Sequence, residues 1–243
     1  MDMRARVVIA ENHTMVAEGL RKLLEDEFQL LETVSNGRDL LKSVEDARPD
    51  VVLVDIGMPI LNGIEATRYF RKASPGTKVV VVTAHSEPEY VIEAFRAGAS
   101  GYVLKRCAVS ELVTAIRQVL EGHSYVTPLM AEHVVAAATN PGTRRNPTSL
   151  TSRQREVLQL VAEGCTAKEI ANSLNISVKT AVFHKMAIMD KLGIRTTAEL
   201  TRYALEHGIT RGAPEPRYCS EDSEFQVPQS AWATAGLHAK TAN

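Results

Sequence analysis

Along the first half of the chain, apolar and polar positions switch between two periods. RVVIA (residues 6–10) is rich in β-branched residues and stops at Glu11 and Asn12. MVAEGLRKLLEDEF then places Val16, Leu20, Leu23 and Leu24 on one helical face. QLLETVS (29–35) reads as a second strand, followed by a helix near 38–47. DVVLVDI (50–56) is nearly continuous in Val, Leu and Ile, as expected of a strand covered on both sheet faces. A helix near 63–72, the strand KVVVVTA (78–84), a helix near 87–97, the strand GYVLK (101–105) and a helix near 108–121 follow. Five strands alternating with five helices predict a five-stranded, parallel, doubly wound α/β sheet of the flavodoxin-like kind. In such a sheet the ligand crevice lies beyond the carboxyl ends of the strands.

Residues 149–211 follow the helical period alone. Thr151 with Gln154 and Thr166 with Glu169 match the capping box, in which a hydroxyl and a carboxyl or amide satisfy orphan backbone donors reciprocally. Ser177 supplies a simple N-cap for a third helix, and Gly164 and Gly193 fit just past helix ends. TAKEIANSL, a turn at Asn175–Ile176 and SVKTAVFHKMAIMDKL therefore read as a helix-turn-helix within a small all-α, four-helix unit. The fourth helix (196–208) presents Leu200, Tyr203 and Ala204 for packing or self-association. A non-binding helical bundle would share this spacing.

Between these units, residues 122–148 read as a linker with a short helix from about 128. Residues 212–243 contain Pro214 and Pro216, lack sustained periodicity and are expected to be a disordered tail. The boundaries expected are thus 5–121, 122–148, 149–211 and 212–243.

The net charge of −1 is unevenly spread: residues 1–121 carry −3 and residues 151–211 carry +3. An acidic first unit and a basic second one suggest different partners. No long uncharged apolar run and no signal-peptide pattern occur, so no membrane association and a cytoplasmic location are expected. Cys107, Cys165 and Cys219 are odd in number and far apart, which suits reduced thiols.

The chemistry gathers at the strand ends. Glu11 and Asn12 follow the first strand, Asp55 ends the third, Thr83 the fourth and Lys105 the fifth. Any one of them is ordinary loop polarity; all at one sheet edge predict a site. In the second unit, Lys179 and Lys185 lie on the third helix, with Lys191 and Arg195 at and beyond its end, placed to meet phosphates or base edges.

VVLVDIGMPILNGIEATR, VVVVTAH and GYVLKRCAVSELVTAIRQVLEG, together with LTSRQREVLQLVAEGCTAKEIANSLNISVKTAVFHKMAIMDKLGI, resemble the bacterial two-component response regulators of the NarL/FixJ type. These join a receiver domain to a LuxR-type DNA-binding domain, and the resemblance covers roughly residues 5–209. It implies Asp55 as phospho-acceptor, a histidine kinase as donor, and Mg²⁺ held by Asp55, the acidic residues after the first strand and the Gly57 carbonyl. Lys105 would pair with phosphoryl oxygens, Thr83 would hydrogen-bond one of them, and Tyr102 would change its packing. The implied output is promoter DNA binding by an active homodimer through Lys168, Lys179, Thr180, Val182, Phe183, His184, Lys185, Met186, Lys191 and Arg195.

Two departures stand out. The family's second acidic residue is Asn12 here, leaving Glu11 and Asp55 at a formal −2, so weaker Mg²⁺ binding and slower phosphorylation are expected. Asn12 as a mere cap of the turn is the plainer alternative. Val182 and Met186 stand where relatives often carry Lys; with Phe183 they either touch thymine methyls or pack internally. His184 reads as a packing or phosphate contact. Fewer cations would give a shallower salt dependence.

The chain reads as a DNA-binding transcriptional response regulator switched at Asp55, catalysing at most its own phosphorylation and dephosphorylation. Asn12 motivates an alternative in which the receiver is a phosphorylation-independent dimerisation or ligand-sensing module. A stand-alone interaction module is opposed by the basic, capped second unit. A phosphatase-type hydrolase would want a second Asp just downstream, where Gly57 stands.

Overall fold

A computed structural model of the protein describes residues 4–107, 109–131, 135 and 150–210. Most of the predicted linker and all of the predicted tail from residue 212, with Cys219, lie outside the described residues. The first unit alternates as expected: β1 (Arg6–Ala10), α1 (Thr14–Leu24), β2 (Gln29–Val34), α2 (Gly37–Ala47), β3 (Val51–Val54), α3 (Gly63–Ala73), β4 (Lys78–Thr83), α4 (Pro88–Ala97), β5 (Gly101–Leu104) and α5 (Val109–Leu120). A sixth strand, β6 (Tyr125–Val126), corrects the count of five. The all-parallel sheet has the order β2-β1-β3-β4-β5-β6. Two residues carry no detectable period; β6 is fixed instead by tertiary bonds. The Tyr125 amide donates to the Ser100 carbonyl at 3.1 Å and the Thr127 amide to the Tyr102 carbonyl at 3.0 Å.

Strand alternation splits the core into two layers. Val7, Ile9, Leu53, Val80, Val82 and Val103 pack with Leu20, Leu24, Ile116 and Val119 of α1 and α5. Val8, Ala10, Val52, Val54, Val81 and Leu104 pack with Leu40, Ile64, Phe70 and Val91 of α2, α3 and α4. Burying each such side chain contributes roughly 1.5–3 kcal/mol before entropy is counted. On α1 the expected stripe is narrower: Leu20 and Leu24 are buried, whereas Leu23 is exposed.

Helix starts follow local chemistry. The Asn36 side-chain Oδ1 accepts from the Arg38 and Asp39 amides, and Pro88 opens α4. Gly63 is required where α3 meets the end of β3, because a Cβ there would stand 2.2 Å from the Asp55 carbonyl oxygen.

The second unit has four helices: α6 (Ser152–Ala162), α7 (Ala167–Leu174), α8 (Val178–Leu192) and α9 (Thr197–Glu206). Both expected capping boxes form, and Thr196 with Glu199 adds a third on α9. Ser177 caps α8, while Asn175 (φ 51°) and Gly193 (φ 65°) take the left-handed conformation that ends α7 and α8. Leu200 and Ala204 are buried, with Tyr203 against them, so the fourth helix spends this face on the unit's own core. No helix among the described residues is long and apolar enough to cross a membrane. Cys107 and Cys165 are not joined in a disulfide; burial first, then a hydrogen bond with Glu111, pushes the Cys107 thiol up.

Candidate functional site

From β1 the chain steps outward to β2, then returns past β1 to β3 and onward. The connections leaving β1 and β3 therefore diverge, and a crevice opens between them at the carboxyl edge. Glu11 and Asp55 occupy it, both buried. The Asp55 amide donates to the Ala10 carbonyl at 2.9 Å and that of Glu11 to the Val34 carbonyl at 2.9 Å. Lys105, just past β5, stands with Nζ 2.5 Å from Glu11 Oε2 and 3.0 Å from Asp55 Oδ2. Two buried carboxylates side by side repel; the ammonium between them offsets that repulsion.

His13 joins this group, and the sequence pattern did not single it out. Its amide donates to Glu11 Oε1 at 3.0 Å and its Nδ1 lies 2.8 Å from the same oxygen. His13 also holds the N-cap position of α1, so the reading of Asn12 as that cap is corrected; Asn12 is exposed beside it. One ligand atom from each of Glu11, His13 and Asp55 falls within a 4.8 Å group. The donor set, two buried carboxylates with a neighbouring imidazole, fits a divalent cation, and Glu11, Asp55 and the Gly57 carbonyl are hard oxygen donors of the kind Mg²⁺ takes.

Thr83 is fully buried at the end of β4, and its Oγ1 accepts from the His85 amide at 3.3 Å. Tyr102 is also fully buried; its hydroxyl donates to the His85 carbonyl at 3.0 Å. The two meet at His85. The His85 ring in turn lies 4.3 Å from the Tyr90 ring of α4.

A second set of contacts joins this edge to α6. Gln159 Nε2 donates to the Met58 carbonyl at 2.9 Å, and its Oε1 accepts from the Asn62 amide at 2.9 Å. The Glu163 carboxylate accepts from the Ile60 amide at 3.2 and 3.3 Å. Ile60 has φ 69°, a costly conformation for a β-branched residue that these bonds help hold. Tyr69 donates to Glu156 Oε1 at 2.8 Å, and Arg155 Nε to Glu65 Oε1 at 2.5 Å. Burial first, then the Glu156 bond, pushes the Tyr69 phenol up to about 12. Farther along, Gly208 packs so closely on Tyr90 that a Cβ would lie 1.7 Å from the hydroxyl oxygen. Sequence reasoning missed this contact. Its signal was the polar series Glu156, Gln159 and Glu163, at helical spacing along α6 and its carboxyl end, interleaved with Val157, Leu158, Leu160 and Val161.

On the second unit, Lys168, Lys179, Val182, Phe183, Met186, Lys191 and Arg195 are exposed. Thr180 is half-buried and shares a hydrogen bond with the capping Ser177 at 2.8 Å. His184 is half-buried, edge-on to Phe183 at 6.0 Å. Lys185 donates to Thr197 Oγ1 at 2.8 Å and so ties α8 to α9.

Comparison with known proteins gives two family matches. Residues 7–117 match the response regulator receiver domain, and residues 148–204 match the bacterial regulatory proteins of the luxR family. The chain is 38% identical over 208 residues to the transcriptional regulatory protein MctR of Rhizobium johnstonii, covering 85% of this chain and 95% of that one. It is 35% identical over 210 residues to the oxygen regulatory protein NreC of Staphylococcus carnosus, covering 83% and 97%. Among solved structures, RcsB from Salmonella enterica serovar Typhimurium, bound to a promoter in the presence of a phosphomimetic, is similar. It has a TM-score of 0.53 and 26% identity, over 82% of this chain and 97% of that one.

Proposed function

Since the chain belongs to the response regulators that join a receiver domain to a LuxR-type DNA-binding domain, we propose that phosphorylation of Asp55 switches its binding to promoter DNA. A histidine kinase is the proposed donor and a homodimer the active form. The observation that carries the reading is the Glu11–Lys105–Asp55 group at the sheet's switch point.

An Asp55 carboxylate oxygen attacks the donor's phosphorus; the new O–P bond forms as the phosphohistidine N–P bond breaks. Such transfer depends on positioning and charge neutralisation. Lys105, now shared between two carboxylates, is placed to follow the phosphoryl oxygens. Glu11, Asp55 and the Gly57 carbonyl would hold Mg²⁺, which supplies charge neutralisation at those oxygens. Thr83 donates its hydroxyl hydrogen to a phosphoryl oxygen, while its Oγ1 accepts from the His85 amide.

Two routes would carry the change onward. One runs along the β3–α3 loop, where Met58, Ile60 and Asn62 meet Gln159 and Glu163. The other runs from Thr83 through His85 to Tyr90, against Gly208. The DNA-facing side of α8 is exposed while these contacts hold, so they do not work by covering it. They fix where α8 points, and hence whether two copies can reach two symmetry-related half-sites.

Incubating the protein with Mg²⁺ and a small phosphodonor and weighing it intact tests the switch. One added phosphoryl mass, absent from Asp55→Ala, is expected. Asn12 favours a second reading, in which the receiver works without phosphorylation. No modification, even with the cognate kinase, would overturn the switch.

A further inference from the structure

The outward side of α8 carries apolar side chains where a solvated helix would carry charge. Val178, Val182, Phe183 and Met186 are 47, 41, 66 and 64% exposed. At about 100° per residue they share one arc of about 140° with Lys179, Asp190 and Met189, the last of which packs against the unit's core at the arc's edge. Ala181 and Ile188 are buried on the opposite side, in the unit's own core. Packing therefore does not account for the outward four. Of the ten exposed large apolar side chains among the described residues, these four sit on one helix, so they form a patch and not a scatter.

We infer that this face reads thymine methyl groups on the floor of the major groove. The inference rests on the DNA-binding reading and adds the base chemistry. Val182 and Phe183 have no hydrogen-bonding group, and the Met186 thioether is at most a weak acceptor. None can make the paired bonds that arginine or lysine makes to guanine, or asparagine and glutamine to adenine. The thymine C5-methyl is the apolar group the major groove offers to such side chains.

The charges on the same arc set the direction. Lys179 lies in the first turn, where it meets a phosphate or a guanine edge; Asp190 lies three turns later, where a phosphate would repel it. The amino-terminal half of α8 thus enters the groove, and Val182, Phe183 and Met186 follow in order along it. A polyanion suits the +3 of residues 151–211. A second copy suits the patch less well: four partly exposed side chains fall short of the roughly 800 Å² per partner of a stable interface.

The test uses the full chain without substitutions, both unphosphorylated and after treatment with Mg²⁺ and a small phosphodonor. Its site is first selected from random duplexes, then each thymine is replaced in turn by deoxyuridine, which keeps base pairing and removes only the methyl. Loss of one buried methyl predicts about fourfold weaker binding at each contacted thymine, with no change at the others. Val182→Ala, Phe183→Ala and Met186→Ala should each abolish the uracil effect at one position. A selected site bound equally well with uracil throughout, or one lacking thymine in the half-site, overturns methyl readout and leaves DNA binding intact. No enriched sequence in any phosphorylation state overturns both. If the triple alanine variant turns a dimer into a monomer while base preference is unchanged, the face is a contact between copies and methyl readout falls.

Discussion

Gln159 reaches from the first helix of the DNA-binding unit to the backbone of Met58, donating to its carbonyl at 2.9 Å across 101 positions of sequence. Its carbonyl oxygen accepts from the Asn62 amide, so one side chain spans the turn. Only Ile56 and Gly57 separate Asp55 from Met58. A shift of the Gly57 carbonyl toward a cation, or of Asp55 on modification, bears directly on this grip.

Gln159→Leu removes both bonds to the loop, and a third from Nε2 to Glu163 Oε1, at nearly constant volume. Each buried hydrogen bond contributes about 1 kcal/mol net, and orphaning the Met58 and Asn62 groups costs further. The unphosphorylated variant is expected to bind the selected operator roughly tenfold tighter than the parent, the effect of about 1.4 kcal/mol. It should also show a larger radius of gyration in solution scattering. Unchanged affinity and size would mean that the grip does not restrain the helical unit.

Asn12→Asp restores a third carboxylate beside Glu11 and Asp55. Phosphorylation at limiting Mg²⁺ should then quicken on the order of tenfold, as expected if the added charge contributes about 1.4 kcal/mol to cation binding. The intact-mass time course measures this. An unchanged rate would show that the missing charge does not limit the chemistry.

Gly208 has φ 56° and leaves no room for a Cβ beside Tyr90. Gly208→Ala meets a backbone cost of roughly 1–2 kcal/mol and a clash. Denaturant unfolding of Gly208→Ala, Tyr90→Ala and the double variant separates them: the clash disappears in the pair, while the backbone cost stays. Strict additivity would mean that Tyr90 and Gly208 do not meet in solution.

Lys168→Ala and Lys179→Ala should each lower the slope of log affinity against log salt by about one, as for a single phosphate contact. Lys185→Ala should lower thermal stability instead, because its ammonium is bound to Thr197. A full unit of lost slope from Lys185 would contradict that assignment.

Tyr69 carries a pH signature. Its folded pKa of about 12 lies above the ordinary 10, so the fold favours the protonated phenol. Its contribution is complete below pH 10 and is lost as pH rises toward 12. A spectrophotometric titration should show a late-ionising phenol that vanishes in Tyr69→Phe, and stability near neutral pH should not vary through this group. Ionisation of Tyr69 near pH 10 would mean that the phenol is neither buried nor bonded to Glu156 in solution.

Much of this was legible in the chain because it repeats or converges. Buried strands announce themselves by uninterrupted Val and Leu, and Glu11, Asp55, Thr83 and Lys105 stand out because each ends or follows a strand. What escaped lacks a local signature. Tyr125–Val126 is too short to show a period, and its pairing comes from β5. Gln159 and Glu163 look like the solvated side of a helix until the β3–α3 loop is laid against them. His13 reads as the first polar residue of a helix, and only the fold turns its ring toward Glu11. Val182, Phe183 and Met186 left packing and exposure open in the sequence; burial of Ala181 and Ile188 on the opposite side decides for exposure.

The grip of Glu163 and Gln159 on the loop after Asp55 has a thermodynamic corollary. Two binding events that bias one element share a single coupling free energy, and each must return to the other the factor it receives. If a cation at Glu11 and Asp55 raises operator affinity by loosening that loop, operator DNA raises cation affinity equally. The promoter is then an effector of the receiver, and molecules already on DNA are those best prepared to hold the metal.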